Sequence, residues 1–309
     1  MKNISTAVIL TISLVLAGCA GVENKLSSWA IGGERALAHV QTKQVVVGDF
    51  TIPYLEGGQG ETVFLIHGFQ SNKDIWIRLA GQLTPHYHVI AIDLPAHGES
   101  NILMDKNYSL PEQAKRVIAI MDALHINHPV HLMGHSMGGA IAYHVAVMAP
   151  DHVKSLALMN AAGVISPHPS EMFTRIQRGE NPLIVRNEQE YKNMLAFTMN
   201  DAPYIPAPLI AAMTREAIAR EPIATKIFQE IHPEYSLNPE QALPQIKVPT
   251  LVLWGDKDQV LDVSSTAVFK RLIPQSKVVI LKGVGHIPQI ERTKETAQIY
   301  ESFLATAKL

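Results

Sequence analysis

Gly134-His135-Ser136-Met137-Gly138 spells G-x-S-x-G in the stretch "HLMGHSMGG". A serine hydroxyl is a weak nucleophile until a neighbouring base takes its proton and an acid orients that base. Here the serine lies between an apolar run, "PVHLMGHS", that reads as a strand and a run, "GAIAYHVAVMA", that reads as a helix. A turn that tight needs small flanking residues, lifts the hydroxyl above the sheet, and sets the Met137 amide at a helix N-terminus, where unpaired donors sit. The partners are expected later in the chain, acid before histidine. "TLVLW" runs into Gly255-Asp256-Lys257-Asp258, and "KVVIL" is followed by "KGVGHIPQIE" with His286. Both follow strand-like runs, at the edge where an open α/β sheet gathers its site. Asp258 and His286 are therefore expected to meet Ser136, with Asp256 as the alternative acid.

Such a constellation needs a rigid sheet beneath it. "ETVFLIHG" and "YHVIAIDLP" are short, nearly continuous apolar runs, as in parallel strands buried on both faces. "QVVVGDFTIPYLEGG" reads as two strands joined at Gly48-Asp49. "KDIWIRLAGQL", "SSTAVFKRLI" and "TKETAQIYESFLATA" have helical spacing, and "SLPEQAKRVIAIMDAL" opens with Ser109 and Glu112 in capping-box register. Strands alternating with helices predict a mostly parallel sheet covered on both faces. The alternation breaks between "LALMN" and "PTLVLWG", where "PLIAAMTREAIAR" and "IATKIFQEI" suggest an inserted helical cap. Met172, Phe173, Ile184, Met194, Phe197, Met199 and Met213 fall in that stretch. They pack the cap onto the core or line a pocket for an acyl chain, since methionine adapts to irregular apolar shapes.

The landmarks "LIHGF", "DLPAHGES", "GHSMGG", "WGDKDQVLD" and "GVGHIPQIE" follow one another in this order. From about Gln44 to Ala305 the chain resembles an α/β-hydrolase of the lipase and esterase kind. "HGFQSNKDIW" and "VPTLVLWGDKDQVLDVS" resemble the monoacylglycerol-lipase-like branch and bacterial lipases. The resemblance implies an eight-stranded, mostly parallel sheet with a helical cap. It implies Ser136, Asp258 and His286 as the catalytic residues, and the backbone amides of Phe69 and Met137 as the oxyanion hole. The implied reaction is ester hydrolysis through an acyl-enzyme, on acylglycerols or other fatty esters and without a cofactor. The same scaffold also hosts short-chain carboxylesterases and C–C bond hydrolases. A membrane-tethered binding protein without activity is the reading of another class.

Other polar residues are expected to have structural duties. His125, His128, His131 and His135 cluster in sequence but lack an acidic neighbour, so no metal site is expected. His67 and His97 are expected to hold loop backbone, Asp93 to fix a turn, and Trp76 and Trp254 to sit in the core. The 26 Lys+Arg and 28 Asp+Glu form no basic stripe, so nucleic acid is not an expected partner.

The chain holds one cysteine in 309 residues, which excludes an intramolecular disulfide. It follows Lys2, an uncharged run from Ile4 to Ala17, and the string Leu16-Ala17-Gly18-Cys19. The run suits a signal-peptide core in length, and Ser5, Thr6, Thr11 and Ser13 make it a poor membrane span. L-A-G-C resembles the bacterial lipobox, which implies cleavage before Cys19 and acylation of it. A lipid bilayer is then a partner, and Ala20 after the cysteine implies the outer membrane of a bacterial cell envelope. The expected organisation is a signal peptide at 1–18, a tether at 19–42, core at 43–162, cap at 163–240 and core again at 241–309.

Overall fold

The computed structural model describes residues 27–231 and 238–307. Cys19 and the proposed signal peptide lie outside the described residues. The sheet has eight strands: β1 (Val40–Val47), β2 (Phe50–Gly57), β3 (Thr62–Ile66), β4 (His88–Ile92), β5 (Val130–His135), β6 (Val153–Met159), β7 (Thr250–Gly255) and β8 (Lys277–Leu281). Their order across the sheet is β1-β2-β4-β3-β5-β6-β7-β8. β2 runs antiparallel to both of its neighbours, and from β4 onward every pairing is parallel. Parallel strands need crossovers, and helices supply them on both faces.

Period-two alternation divides each central strand between two cores. Phe64 and Ile66 of β3, Ile90 and Ile92 of β4, and Val252 and Trp254 of β7 enter one. That core is covered by α3 (Leu110–Ala123), α4 (Met137–Met148) and α10 (Ser265–Leu272). Val63, Leu65, Val89, Ala91, Leu251 and Leu253 enter the other, together with Trp76. That one is covered by α2 (Ile77–Leu83) and α12 (Thr293–Thr306). With both faces buried, the strands read as continuous apolar runs rather than alternating ones.

Two local expectations differ from the structure. Ser109 is the N-cap of α3, but its side chain makes no capping bond, and Glu112 instead receives Lys115 Nζ at 2.6 Å. The stretch expected as a tether is structured from residue 27: residues 27–37 form a helix, α1, and β1 already begins at Val40. β1 begins where its ladder with β2 begins, Val40 opposite Gly57, and the helix before it is anchored by a side chain. Arg35 donates to both carboxylate oxygens of Asp74, at 2.8 and 2.6 Å, and Ala38 behind it is buried.

Between β6 and β7 the chain makes α5 (Glu171–Gln177), α6 (Glu188–Thr198), α7 (Ala207–Ala219) and α8 (Glu221–Glu230), followed by the short α9 (Pro239–Ala242). These inserted helices are bound to loops at the C-terminal edge of the sheet. The Met172 amide donates to Gln259 O at 2.9 Å, and the Tyr108 amide donates to Glu230 at 2.6 Å. Arg220 donates to the carbonyls of Ala96 and Gly98.

Candidate active site

Ser136 is the single residue between β5 and α4, with φ 55° and ψ −121°. Side chains rarely adopt that backbone region, and holding one there costs about 1–3 kcal/mol. Hydrogen bonds on both sides enforce it. The Ser136 amide donates to Met159 O at 3.0 Å, and its carbonyl accepts from Gly139 at 2.9 Å and Ala162 at 3.0 Å. The motif glycines are required by crowding. A Cβ on Gly134 would lie 2.1 Å from the Gly138 carbonyl oxygen, and one on Gly138 would lie 2.4 Å from those of Ile66 and His67.

The loop after β3 abuts this turn: a Cβ on Gly68 would lie 3.0 Å from the Ser136 Cβ. Among the described residues no acceptor takes the amides of Phe69 or Met137. His67 fixes the loop. Its Nε2 accepts from the Leu94 amide at 3.0 Å, which puts the proton on Nδ1, and Nδ1 donates to Gly68 O at 2.7 Å. Burial pushes the His67 pKa down to about 4, so the ring is neutral at neutral pH. His97 is likewise lowered by burial, to about 3, and donates from Nδ1 to Pro95 O at 3.1 Å. Asp93 is fully buried and accepts from the Lys73 amide, Lys73 Nζ and the Glu99 amide, at 2.7, 2.9 and 2.9 Å. All three side chains hold loops, as expected.

Asp258 and His286 meet. His286 Nδ1 lies 2.8 Å from Asp258 Oδ2, with both side chains buried. Asp258 Oδ1 accepts from the amides of Val260 at 2.8 Å and Leu261 at 3.0 Å. A carboxylate that accepts from donors on both oxygens keeps the imidazole proton on Nδ1 and leaves Nε2 to accept. Asp256 is turned elsewhere, accepting from the Gly283 amide at 2.7 Å. The serine turn and the histidine loop are joined next to Ser136, because His135 Nε2 lies 2.7 Å from the His286 carbonyl.

One residue here was not singled out from the sequence. Asn160 Nδ2 donates to Asp258 Oδ2 at 2.7 Å. Its signal was its place, a polar residue ending the apolar strand "LALMN". The sequence-adjacent histidines do not converge. His128 bonds Thr62 at 2.9 Å and His131 bonds Ser155 at 2.7 Å, while His135 faces the His286 loop.

The α/β hydrolase fold family matches residues 61–199 and 212–293 of this chain. The chain belongs to the α/β-hydrolase fold family. Lipase 1 of Psychrobacter immobilis is 33% identical over 98% of this chain and 97% of its own. Monoacylglycerol lipase ABHD6 of Rattus norvegicus is 32% identical over 81% of this chain and 77% of its own. A crystal structure of a membrane phospholipase A, a bacterial virulence factor, superposes with a TM-score of 0.92 at 39% identity, covering 100% of this chain and 99% of that one.

In this α/β hydrolase the inserted helices bring an apolar face to the acid loop. Met172, Phe197 and Val260 form a buried cluster, with Ile176, Leu183, Phe228 and Leu261 packed on it. The Phe228 ring lies 5.7 Å from that of Phe69. Val260 and Leu261 are the residues whose amides bind Asp258, so one loop serves both the carboxylate and the apolar wall. Ile184 and Met199 are also buried, whereas Phe173 is 52% and Met213 37% exposed. Trp76 and Trp254 are core residues.

Proposed function

We propose that this α/β hydrolase cleaves acylglycerol esters through an acyl-enzyme formed on Ser136. The observation that carries the reading is the buried Asp258–His286 pair joined, through His135, to the Ser136 turn. In the first half-reaction Ser136 Oγ attacks the ester carbonyl carbon while His286 Nε2 takes its proton. The amides of Phe69 and Met137 receive the negative charge that develops on the carbonyl oxygen. Donors placed for the transition state are worth about 10²–10³ in rate each. The C–O bond then breaks, and His286 returns the proton to the departing alcohol. Water, deprotonated by His286, attacks the acyl carbon, and the fatty acid leaves as the proton returns to Ser136. Asp258 holds the ring and stabilises its charged form.

The apolar face formed by Met172, Phe197 and Phe228 suits a fatty acyl chain, and the lipase relatives support an ester of that class. The test is a set of initial rates on mono-, di- and triacylglycerols and on diacyl phospholipids of increasing chain length, with Ser136→Ala as control. Long-chain glyceride turnover that vanishes in the variant supports the proposal. Turnover of short esters alone makes this an esterase. No ester turnover above the variant removes the ester reading and favours C–C hydrolysis or binding.

The same proposal places the protein on a membrane through acylated Cys19, in the outer membrane of a bacterial envelope. The L-A-G-C string and the likeness to a membrane phospholipase A support it. Among the described residues no helix is long and apolar enough to cross a membrane. Loss of labelled palmitate and of membrane sedimentation in Cys19→Ser is the expected result.

A further inference from the structure

The His286 loop is held by a second carboxylate that takes no part in the chemistry above. Glu291, at the end of the short helix α11 (Pro288–Glu291), is 8% exposed. Its Oε1 accepts from the Gly285 amide at 3.0 Å and the Ile287 amide at 3.4 Å, the residues on either side of His286. Its Oε2 accepts from the amides of Asn200 at 2.8 Å and Asp201 at 2.9 Å, just beyond the last inserted residue of α6. Backbone amides from two separate segments therefore share one buried carboxylate. The Gly285 amide is buried and would be left unpaired without it, while the amides of Asn200, Asp201 and Ile287 are bound at the edge of the same carboxylate.

The surrounding contacts close the same seam. The His286 amide donates to Thr198 O at 2.7 Å. Asn200 Nδ2 donates to Gly283 O at 3.0 Å, and Arg292 Nη1 pairs with Asp201 at 2.7 Å. The space is full, since a Cβ on Gly285 would lie 2.7 Å from the Asn200 amide nitrogen and 2.9 Å from Glu291 Oε1. Residues 283–287 and 198–201 cannot shift independently while Glu291 bridges them.

We propose that Glu291 is a positioning residue that makes the placement of the His286 ring depend on the seating of the inserted helices. This rests on the reading of His286 as the base. Glu291 touches neither the serine nor the acid of that reading. Its effect is transmitted through backbone: with the inserted segment seated, the loop is fixed and the ring stays on Asp258. When the segment lifts, the Asn200 and Asp201 amides leave and the loop loses half of its anchor. Turnover and cap position are thereby coupled, with Glu291 as the carboxylate that holds both segments.

The test is Glu291→Gln. A glutamine keeps the size but offers one accepting oxygen, and its amide group faces N–H donors whichever way it turns. The expected result is a fall in kcat of about 10–100-fold with KM within about 3-fold, because small misplacement of a reacting group is costly. Labelling of Ser136 by a fluorophosphonate slows in parallel, and the low-field proton resonance of the His286–Asp258 bond shifts or is lost. Leu304→Ala, on the buried face of α12, supplies a destabilised comparison that keeps its kcat and its resonance. If Glu291→Gln cannot be purified folded, Asn200→Ala and Arg292→Ala are measured, each expected to lower kcat by about 3-fold with the same resonance change. A folded Glu291→Gln with wild-type kcat and resonance overturns the coupling, as does a kcat loss no larger than that of Leu304→Ala. Ser136→Ala separates the two failures: residual turnover there sinks the serine reading itself, whereas an inactive Ser136→Ala with an unaffected Glu291→Gln sinks only the coupling.

Discussion

Asn160 Nδ2 and His286 Nδ1 bind the same oxygen of Asp258, at 2.7 and 2.8 Å. The asparagine is fully buried and holds the carboxylate against the imidazole from the β6 side. Asn160→Ala removes a hydrogen bond to a charged group, typically worth about 1.5–3 kcal/mol. We expect kcat on an ester to fall by roughly 10–100-fold with little change in KM. Unchanged kcat in a folded variant would show that the Val260 and Leu261 amides are sufficient.

The two aspartates of the Gly255–Asp258 loop have separable duties. Asp258→Asn presents an amide to His286 and favours the wrong tautomer, so a loss of about 10⁴-fold in kcat is expected. Asp256→Asn keeps an oxygen for the Gly283 amide and is expected to stay within about 10-fold of wild type. Steady-state rates of the two variants decide the acid directly, and the reverse ranking would make Asp256 the orienting group.

His67 makes stability depend on pH. Burial lowers its pKa from 6.5 to about 4 in the folded state, so the unfolded chain binds more protons between those values. Stability attached to this group is complete above pH 6.5 and is lost as pH falls towards about 4. The shift corresponds to about 3 kcal/mol. His97 adds in the same direction. Denaturant midpoints at pH 7, 5.5 and 4 should fall in that order, and His67→Asn should flatten the slope. A flat wild-type profile would contradict this account. The loss reaches function too, because protonated Nε2 can no longer accept from Leu94, and that bond steadies the loop carrying the Phe69 amide.

Gly138→Ala tests the crowding beneath the serine turn. The added methyl would meet two backbone carbonyl oxygens at 2.4 Å, and backbone cannot yield as a flexible side chain can. A loss of more than about 3 kcal/mol is expected, read as low soluble yield or a sharply lowered thermal midpoint. A wild-type midpoint would mean that the turn relaxes around the new methyl.

The serine turn, the family and the sheet were legible because each rests on local rules. Gly134 and Gly138 must be small beside Ser136, and β3, β4 and β7 are apolar throughout because both faces are covered. The placement of Asp258 and His286 after β7 and β8 followed from the C-terminal edge collecting the loops of a parallel sheet. The start of β1 at Val40 was hidden, because it is set by how far the antiparallel ladder with β2 extends, from Val40 opposite Gly57. The exposure of Phe173 beside the burial of Met172 was hidden for a similar reason: only the surface that α5 docks against decides which of two adjacent apolar side chains is covered.

By itself, the sequence determined the tight turn at Ser136, the order of Ser136, Asp258 and His286 past the ends of their strands, and the class of fold, since those depend on residue size, periodicity and strand direction. Only the tertiary structure decided which aspartate faces His286, that Asn160 shares its oxygen, and that Glu291 joins the histidine loop to the inserted helices. These are contacts between segments far apart in the chain, 98 positions for Asn160 with Asp258 and 91 for Asn200 with Glu291, or choices between like neighbours in one turn. No local pattern encodes such pairings, because they arise where independently formed loops pack and their buried donors must find acceptors.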